Sequence, residues 1–194
     1  MRKTLLSLLL VNLFSNPVLA AGEVGDLAAD KLDAYRAAVK AFGSDLKAEL
    51  QAGIKSGGPV AAVGICNTKA AEIADKHAKK DHWKVSRVSL KNRNLKNVPD
   101  EWEKGVLAQF EQRKAAGEDV LKMEYGRIVE AADGSRELRY MKAIPTAEAC
   151  LTCHGTEIKP EVAARIDELY PADLAKGYKL GELRGAFSVR EALK

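Results

Sequence analysis

The chain has 194 residues, 46% of them hydrophobic and 30% charged, with 31 lysines and arginines against 27 acids and a formal charge of +4. That length suits one domain with a real core. Basic residues are interleaved with acidic ones throughout, which excludes the electrostatic footprint of a nucleic-acid binder.

Residues 1–20 have the pattern of a secretory signal peptide: Arg2 and Lys3, an apolar run from Leu5 to Phe14, then Val18-Leu19-Ala20 with small residues at the cleavage positions. Cleavage is expected after Ala20, leaving residues 21–194 as a single domain with formal charge +2 once Arg2 and Lys3 are gone. The apolar run is shorter than the roughly 20 residues a membrane span needs. No later segment could span a membrane, so none is expected in the mature chain.

Residues 24–55 read as a long amphipathic helix. Leu32, Tyr35, Val39, Phe42, Leu46 and Leu50 recur at three- and four-residue steps. At ~1.5 Å per residue it would be about 45 Å long. Such a helix must either bend at Gly43 or project far enough to pair with a second copy. Gly57-Gly58-Pro59 should end it. Val60–Cys66 is a short apolar run, expected as a buried strand, with Asn67 capping a helix that carries Ala70, Ile73, Ala74 and His77 on one face.

Residues 82–90 are β-rich, and the polar loop 91–99 follows. Asp100-x-x-Glu103 is a capping box for a helix whose inner face is Trp102, Val106 and Phe110, closed by Gly117. Residues 120–130 and 135–144 form a hairpin about Asp133-Gly134, a type I′ pair. That register puts Met123, Tyr125, Leu138, Tyr140 and Ile144 on one face and leaves Met141 facing solvent. Pro160 opens a helix that Pro171 closes. In the last strand, Leu183, Gly185, Phe187 and Val189 point inward and Arg184, Ala186, Ser188 and Arg190 outward. The pattern is that of an antiparallel sheet of about five strands with helices packed on it.

The chemistry concentrates in Cys150-Leu151-Thr152-Cys153-His154, the C-x-x-C-H attachment sequence of a c-type haem. Two thiols three residues apart reach the two vinyl groups of one porphyrin, and the next residue, His154, becomes the proximal iron ligand. Three other uses of these residues compete: a thiol redox pair, which needs a βαβ setting absent here; a zinc site of Cys66, Cys150, Cys153 and a histidine; and a plain disulfide. Export favours haem, because attachment of this kind takes place outside the bacterial cytoplasm. Cys66 is the third thiol. By composition it is a small buried hydrophobe, yet an unpaired cysteine in an exported chain calls for a reason.

Three blocks carry a resemblance: Arg87-x-Ser89-x-x-x-Arg93-Asn94-x-x-Asn97-x-Pro99-x-x-Trp102-Glu103, Cys150-x-x-Cys153-His154-Gly155, and Gly177-Tyr178-x-x-Gly181-x-x-x-Gly185-x-x-Ser188-Val189. Together they resemble a family of exported c-type haem domains with a PAS-like fold. The resemblance implies an α+β, PAS-like domain of about five antiparallel strands with helices on one side. It implies one covalent haem c, six-coordinate, with His154 on one face of the iron and a cysteine on the other, for which Cys66 is the candidate. Met123, His77, His82 and Met141 are the other conceivable sixth ligands. Arg87, Arg93, Asn94 and Asn97 are candidate contacts to the haem propionates, with turn-capping as their alternative use.

Three roles then compete: a periplasmic haem-based redox or gas sensor, a small electron-transfer cytochrome, and a haem enzyme. The enzyme ranks last, since Cys66 on the iron would close the open position such chemistry needs. The redox or signalling partner is not named by the sequence. A homodimer through the N-terminal helix is one expected assembly.

Overall fold

Gly57 and Gly58 decide the architecture of the N-terminal third. The computed structural model describes residues 27–81, 83–130 and 133–193; the signal peptide expected at residues 1–20 and His82 lie outside them. Helix α1 (Ala29–Asp81) is interrupted at these two glycines, where Gly58 has φ 72°, a conformation glycine adopts without a Cβ penalty. The chain reverses there into two antiparallel arms, residues 29–56 and 59–81. The arms are joined by Asp45, whose carboxylate accepts from Lys76 at 3.2 Å and lies 3.1 Å from His77 Nε2, and by Phe42 edge-on to His77.

The strand expected at Val60–Cys66 is therefore helix. A short apolar run has no period of its own, Ala61 and Ala62 favour helix, and Pro59 sits in the first turn, where a helix accepts proline. Asn67 is inside the arm rather than capping it. Gly43 keeps helical geometry, so the first arm does not bend there. Its inner face, Tyr35, Val39 and Phe42, is the one the periodicity selects.

The remaining elements are β1 (Lys84–Val88), a 3₁₀ turn (Leu95–Asn97), α2 (Glu101–Ala115), a second 3₁₀ turn (Val120–Lys122), β2 (Glu124–Glu130), β3 (Arg136–Pro145), α3 (Glu148–His154), α4 (Pro160–Leu169) and β4 (Leu183–Leu193). The strands form one antiparallel sheet in the order β1-β4-β3-β2. The class is the α+β, PAS-like one expected. The described sheet has four strands, not about five, because residues 60–66 are helical.

Helices cover both faces of this sheet rather than one. Tyr35, Val39, Phe42 and Ile73 of the hairpin pack on Val85, Leu138, Tyr140 and Val189. On the opposite face, Val106, Leu107 and Phe110 of α2 pack on Val88, Met141, Ala143 and Ala186. A sheet buried twice cannot show a clean inside-outside alternation. Met141, expected in solvent, is fully buried, as are Ala186 and Ser188 on the central strand β4.

The hairpin register contributes to the same correction. Glu124 pairs with Lys142 and Glu130 with Arg136, so the turn is centred on Asp133 itself and five residues separate the strands. A two-residue turn at Asp133-Gly134 would be shifted by one. That single step moves Tyr125 to the α2 face opposite Met141 and leaves Leu138 and Tyr140 on the other.

The capping box is present as expected. Asp100 Oδ1 accepts from the Glu103 N–H at 2.8 Å and Glu103 Oε2 from the Asp100 N–H at 2.9 Å. Its carboxylates also bind the sheet. Arg139 and Arg190 donate to Asp100 Oδ2 at 2.7 and 2.8 Å, and Ser188 Oγ and Arg190 donate to Glu103 Oε1 at 2.7 and 3.0 Å. Arg139 lies 4.4 Å from the Trp102 ring centroid. The Trp102-Glu103 pair is thus the lock between α2 and the sheet. Glu103 is 1% exposed. Glu103→Ala should lower stability by about 1–3 kcal/mol, the cost of losing the cap and leaving Ser188 Oγ without its acceptor while Asp100 still pairs Arg139 and Arg190, and Glu103→Gln by less, measured by urea unfolding.

Three carboxyls stitch the periphery. Burial pushes Glu124, Asp100 and Glu191 up, but it is outweighed by hydrogen bonds from Arg36 and Tyr140 to Glu124, from the Glu103 backbone and Arg139 to Asp100, and from Lys31 and Tyr35 to Glu191. All three are held below the usual carboxylate range. The stability they contribute is present above the unfolded value of about 4 and lost as pH falls through it. The urea midpoint should hold from pH 7 to 5 and drop below about 4; Glu124→Gln should shrink that drop.

Candidate functional site

Cys150, Cys153 and His154 all lie on α3, one short helix after the end of β3. Cys150 and Cys153 are one helical turn apart and carry free thiols, so the disulfide alternative is not what the fold holds. Among the described residues no three His, Cys, Asp or Glu side chains converge as a metal-ion site.

His154 is fixed by the loop after α4. Its Nδ1 lies 2.7 Å from the Ala175 carbonyl. A carbonyl only accepts, so Nδ1 carries the proton and Nε2 keeps its lone pair. The same loop is pinned twice more: Tyr178 N donates to the His154 carbonyl at 2.9 Å and Gly177 N to the Gly155 carbonyl at 2.9 Å. The Tyr178 ring stands edge-on to the imidazole, 6.4 Å between centroids. Gly155 closes α3, its N–H donating to the Leu151 carbonyl at 2.9 Å. A Cβ there would lie 2.6 Å from the Leu151 carbonyl oxygen, which explains a glycine directly after the motif. Burial, then the charges of Arg184 and Arg93, push protonation of His154 down to about 2. The ring is neutral at any physiological pH, the form a metal ligand must have.

Arg93 holds the assembly together. Its guanidinium donates to both Asp173 oxygens at 3.1 Å, to the Cys153 carbonyl at 2.6 Å and to the Ala175 carbonyl at 3.3 Å. The ion pair is buried, with side chains 11% and 2% exposed. Arg93 therefore ties the 91–99 loop to the end of α3 and to the loop carrying Ala175. Asn94 Oδ1 caps the first 3₁₀ turn, accepting from Lys96 N at 2.9 Å. The Asn97 carbonyl accepts from Ser89 N at 3.1 Å. Of these three, Asn94 caps a turn with its side chain, Asn97 acts through its backbone carbonyl, and Arg93 satisfies an acid and two carbonyls. Arg87 differs: it shows no hydrogen-bond partner among the described residues.

Cys66 reaches the same place from the return arm of the hairpin. Three residues before it, Val63 packs with Val162, Ile166 and Tyr170 of the α4 region, against which Cys153 also lies. Asn67 Nδ2 donates to the Leu169 carbonyl at 3.4 Å. Burial pushes the Cys66 thiol up, and the charges of Arg87 and Arg93 oppose it. Burial also raises the Cys153 thiol, which senses both Cys66 and Cys150. The fold thus gathers Cys66, Cys150, Cys153, His154, Arg87 and Arg93. It does not bring in Met123 and Met141, which lie in the α2 core, or His77, which is engaged with Asp45.

Arg184 was not among the residues selected from the sequence. It donates to Ser89 Oγ at 3.1 Å and the Lys91 carbonyl at 3.3 Å, lies 5.2 Å from the Tyr178 centroid, and acts on His154 by its charge. Strand alternation assigns it outward to solvent. No sequence signal marks it otherwise.

Fold and site together define an antiparallel-sheet domain that presents a C-x-x-C-H helix, ringed by arginines, to a helical hairpin bearing a third thiol. The Tll0287-like family profile matches residues 18–191, and the chain belongs to that family. Among solved structures it is similar to the crystal structure of the cyanobacterial heme-protein Tll0287, with a TM-score of 0.65 and 22% identity over 87% of this chain and 98% of that one. At that identity the likeness is one of fold. No curated protein matches the chain.

Removing one half of the buried pair tests the clamp. Asp173→Ala should cost about 3–5 kcal/mol by stranding the Arg93 cation. It should also speed amide exchange across residues 173–178, read by hydrogen-exchange mass spectrometry.

Proposed function

We propose that this chain is a single-haem c-type cytochrome domain, exported to the periplasm, that acts as a haem-based redox or gas sensor. The observation that carries it is the state of His154: half-buried, its Nδ1 proton donated to the Ala175 carbonyl and its Nε2 without a hydrogen bond among the described residues, directly after two unbridged thiols one turn apart. The similar solved structure is of a heme-protein. Haem bound here supplies a one-electron iron couple and an exchangeable axial position.

The residues fit that group. Cys150 and Cys153 would hold it covalently, with His154 as proximal ligand and Cys66 as the second axial ligand. Arg87, without a protein partner among the described residues, is suited to a propionate; Arg93, Asn94 and Asn97 shape the wall beside it.

A sensor role draws support from where the two axial donors sit. His154 is clamped by the 173–178 loop, whereas Cys66 rides on the separate α1 hairpin. A small shift of the return arm against α4 moves the thiol and leaves the covalent links alone. Such a two-element arrangement converts ligand exchange into helix movement. Rigid retention of His154 favours the second reading, an electron-transfer cytochrome, because a fixed ligand set minimises rearrangement. An enzyme reading ranks below both, since His154 and Cys66 as iron ligands would leave no open position for a substrate.

Protein secreted from cells competent in cytochrome maturation should carry one haem by mass. It should give a low-spin ferric EPR signal of thiolate character. Cys66→Ala should abolish that character, and Cys150→Ser with Cys153→Ser should abolish attachment. Colourless protein at bare polypeptide mass refutes the proposal. Loss of the thiolate on reduction, with binding of CO or NO, identifies the sensor; unchanged ligation with fast electron exchange identifies the carrier.

A further inference from the structure

Seven large hydrophobic residues are strongly exposed in the described chain, and five of them lie on two adjoining loops. Leu90, Leu95 and Val98 belong to the 89–98 loop, and Leu174 and Leu180 to the 173–182 loop; each is 51–69% exposed. The loops are bonded to each other: Leu174 N donates to the Asn92 carbonyl at 3.0 Å, and Lys91 Nζ to the Lys176 carbonyl at 2.5 Å. Scattered exposed leucines need no explanation, but apolar groups gathered on one surface and rimmed by charge mark interaction sites.

The rim is cationic. Lys91, Lys96 and Lys179 are exposed and Lys176 is partly so. Against them the two loops carry Glu182, half-buried and accepting from the Lys179 N–H, and Asp173, buried in its pair with Arg93; Glu111 of α2 is the exposed acid beside Leu90 and Lys91, with Lys114 next to it. Glu101, beyond the end of the first loop, is paired with Lys104, and Lys176 reaches Asp167. The whole chain is close to charge balance, so this local excess stands out from its background.

The position matters as much as the charge. These are the loops that clamp His154, through Ala175, Tyr178 and Arg93. A protein seated on their outer face lies one loop away from the proximal imidazole. We propose that this face is the docking surface for a redox or signalling protein whose own surface is acidic around an apolar centre. The proposal rests on the haem reading above. Lysines around the rim would steer the encounter, and the leucines would form the dry centre of the contact.

The test uses the haem-loaded protein with a reduced, acidic flavodoxin as probe. One electron passes from the flavodoxin hydroquinone to the ferric haem, followed by stopped flow. The second-order rate should fall as salt is raised. It should drop about tenfold at low ionic strength in Lys96→Glu/Lys179→Glu, and fall at every salt concentration in Leu95→Ser/Leu180→Ser. Lys47→Glu/Lys55→Glu, on the first arm of the hairpin, should leave it unchanged. Reduction by the small methyl viologen radical should be equal in all four proteins, showing the haem site intact.

A salt-independent rate, or equal slowing by the hairpin variant, overturns the proposal. So does lysine-dependent binding to anionic phosphatidylglycerol vesicles without acceleration by flavodoxin, or self-association abolished by the leucine variant. NMR shift mapping with flavodoxin reads the same surface without electron transfer. Wild-type protein that carries no haem sinks the functional reading; perturbations absent from residues 89–98 and 173–182 sink the docking surface separately.

Discussion

The site depends on one buried cation. Arg93 sits where its own 91–99 loop meets the end of α3, which offers the Cys153 carbonyl, and the 173–178 loop, which offers Asp173 and the Ala175 carbonyl. Isolated backbone bonds join these stretches, but no continuous ladder can register all three. A guanidinium can, because its planar fork presents several donors at fixed angles. The Ala175 carbonyl is the one that also fixes His154, so the imidazole inherits its orientation from Arg93.

A second polar cluster does for the frame what Arg93 does for the site. Asp100 and Glu103 close the start of α2 with one carboxylate oxygen each and, with the other, hold Arg139, Arg190 and Ser188 of the sheet. The hairpin on the opposite face is attached through Tyr35 to Glu191 and Arg36 to Glu124. The sheet is therefore a plate gripped from both sides, with apolar packing at its centre and ion pairs at its margins. The C-x-x-C-H helix lies off this plate, against the return arm and α4. Chemistry at the thiols is thereby kept clear of the main core.

What could be read from the residues follows from the range of the interactions involved. The capping box, the proline opening α4, the first arm of α1 and the C-x-x-C-H motif are local devices, and each is where its spacing puts it. The second arm was misread because seven apolar residues fit a strand as well as a helix until the antiparallel partner is known. Met141 and Ala186 were placed in solvent because alternation presumes one wet face, and here α2 removes it. The slip at Asp133 shifts every pairing of the hairpin by one residue and so inverts one strand's faces relative to the other. Arg93 was noticed, but its use depends on Asp173, eighty residues away. Arg184 had no local signal at all.

The order of strands has a bearing on how such a chain matures. β4 is synthesised last yet occupies the middle of the sheet, between β1 and β3. Until it arrives, β1 has no neighbour in the sheet. The segment bearing Cys150 and Cys153 is made some thirty residues earlier, and it emerges onto a surface still lacking its far edge. Insertion of the final strand then joins β1 to β3, and the plate on which both helical layers rest becomes continuous.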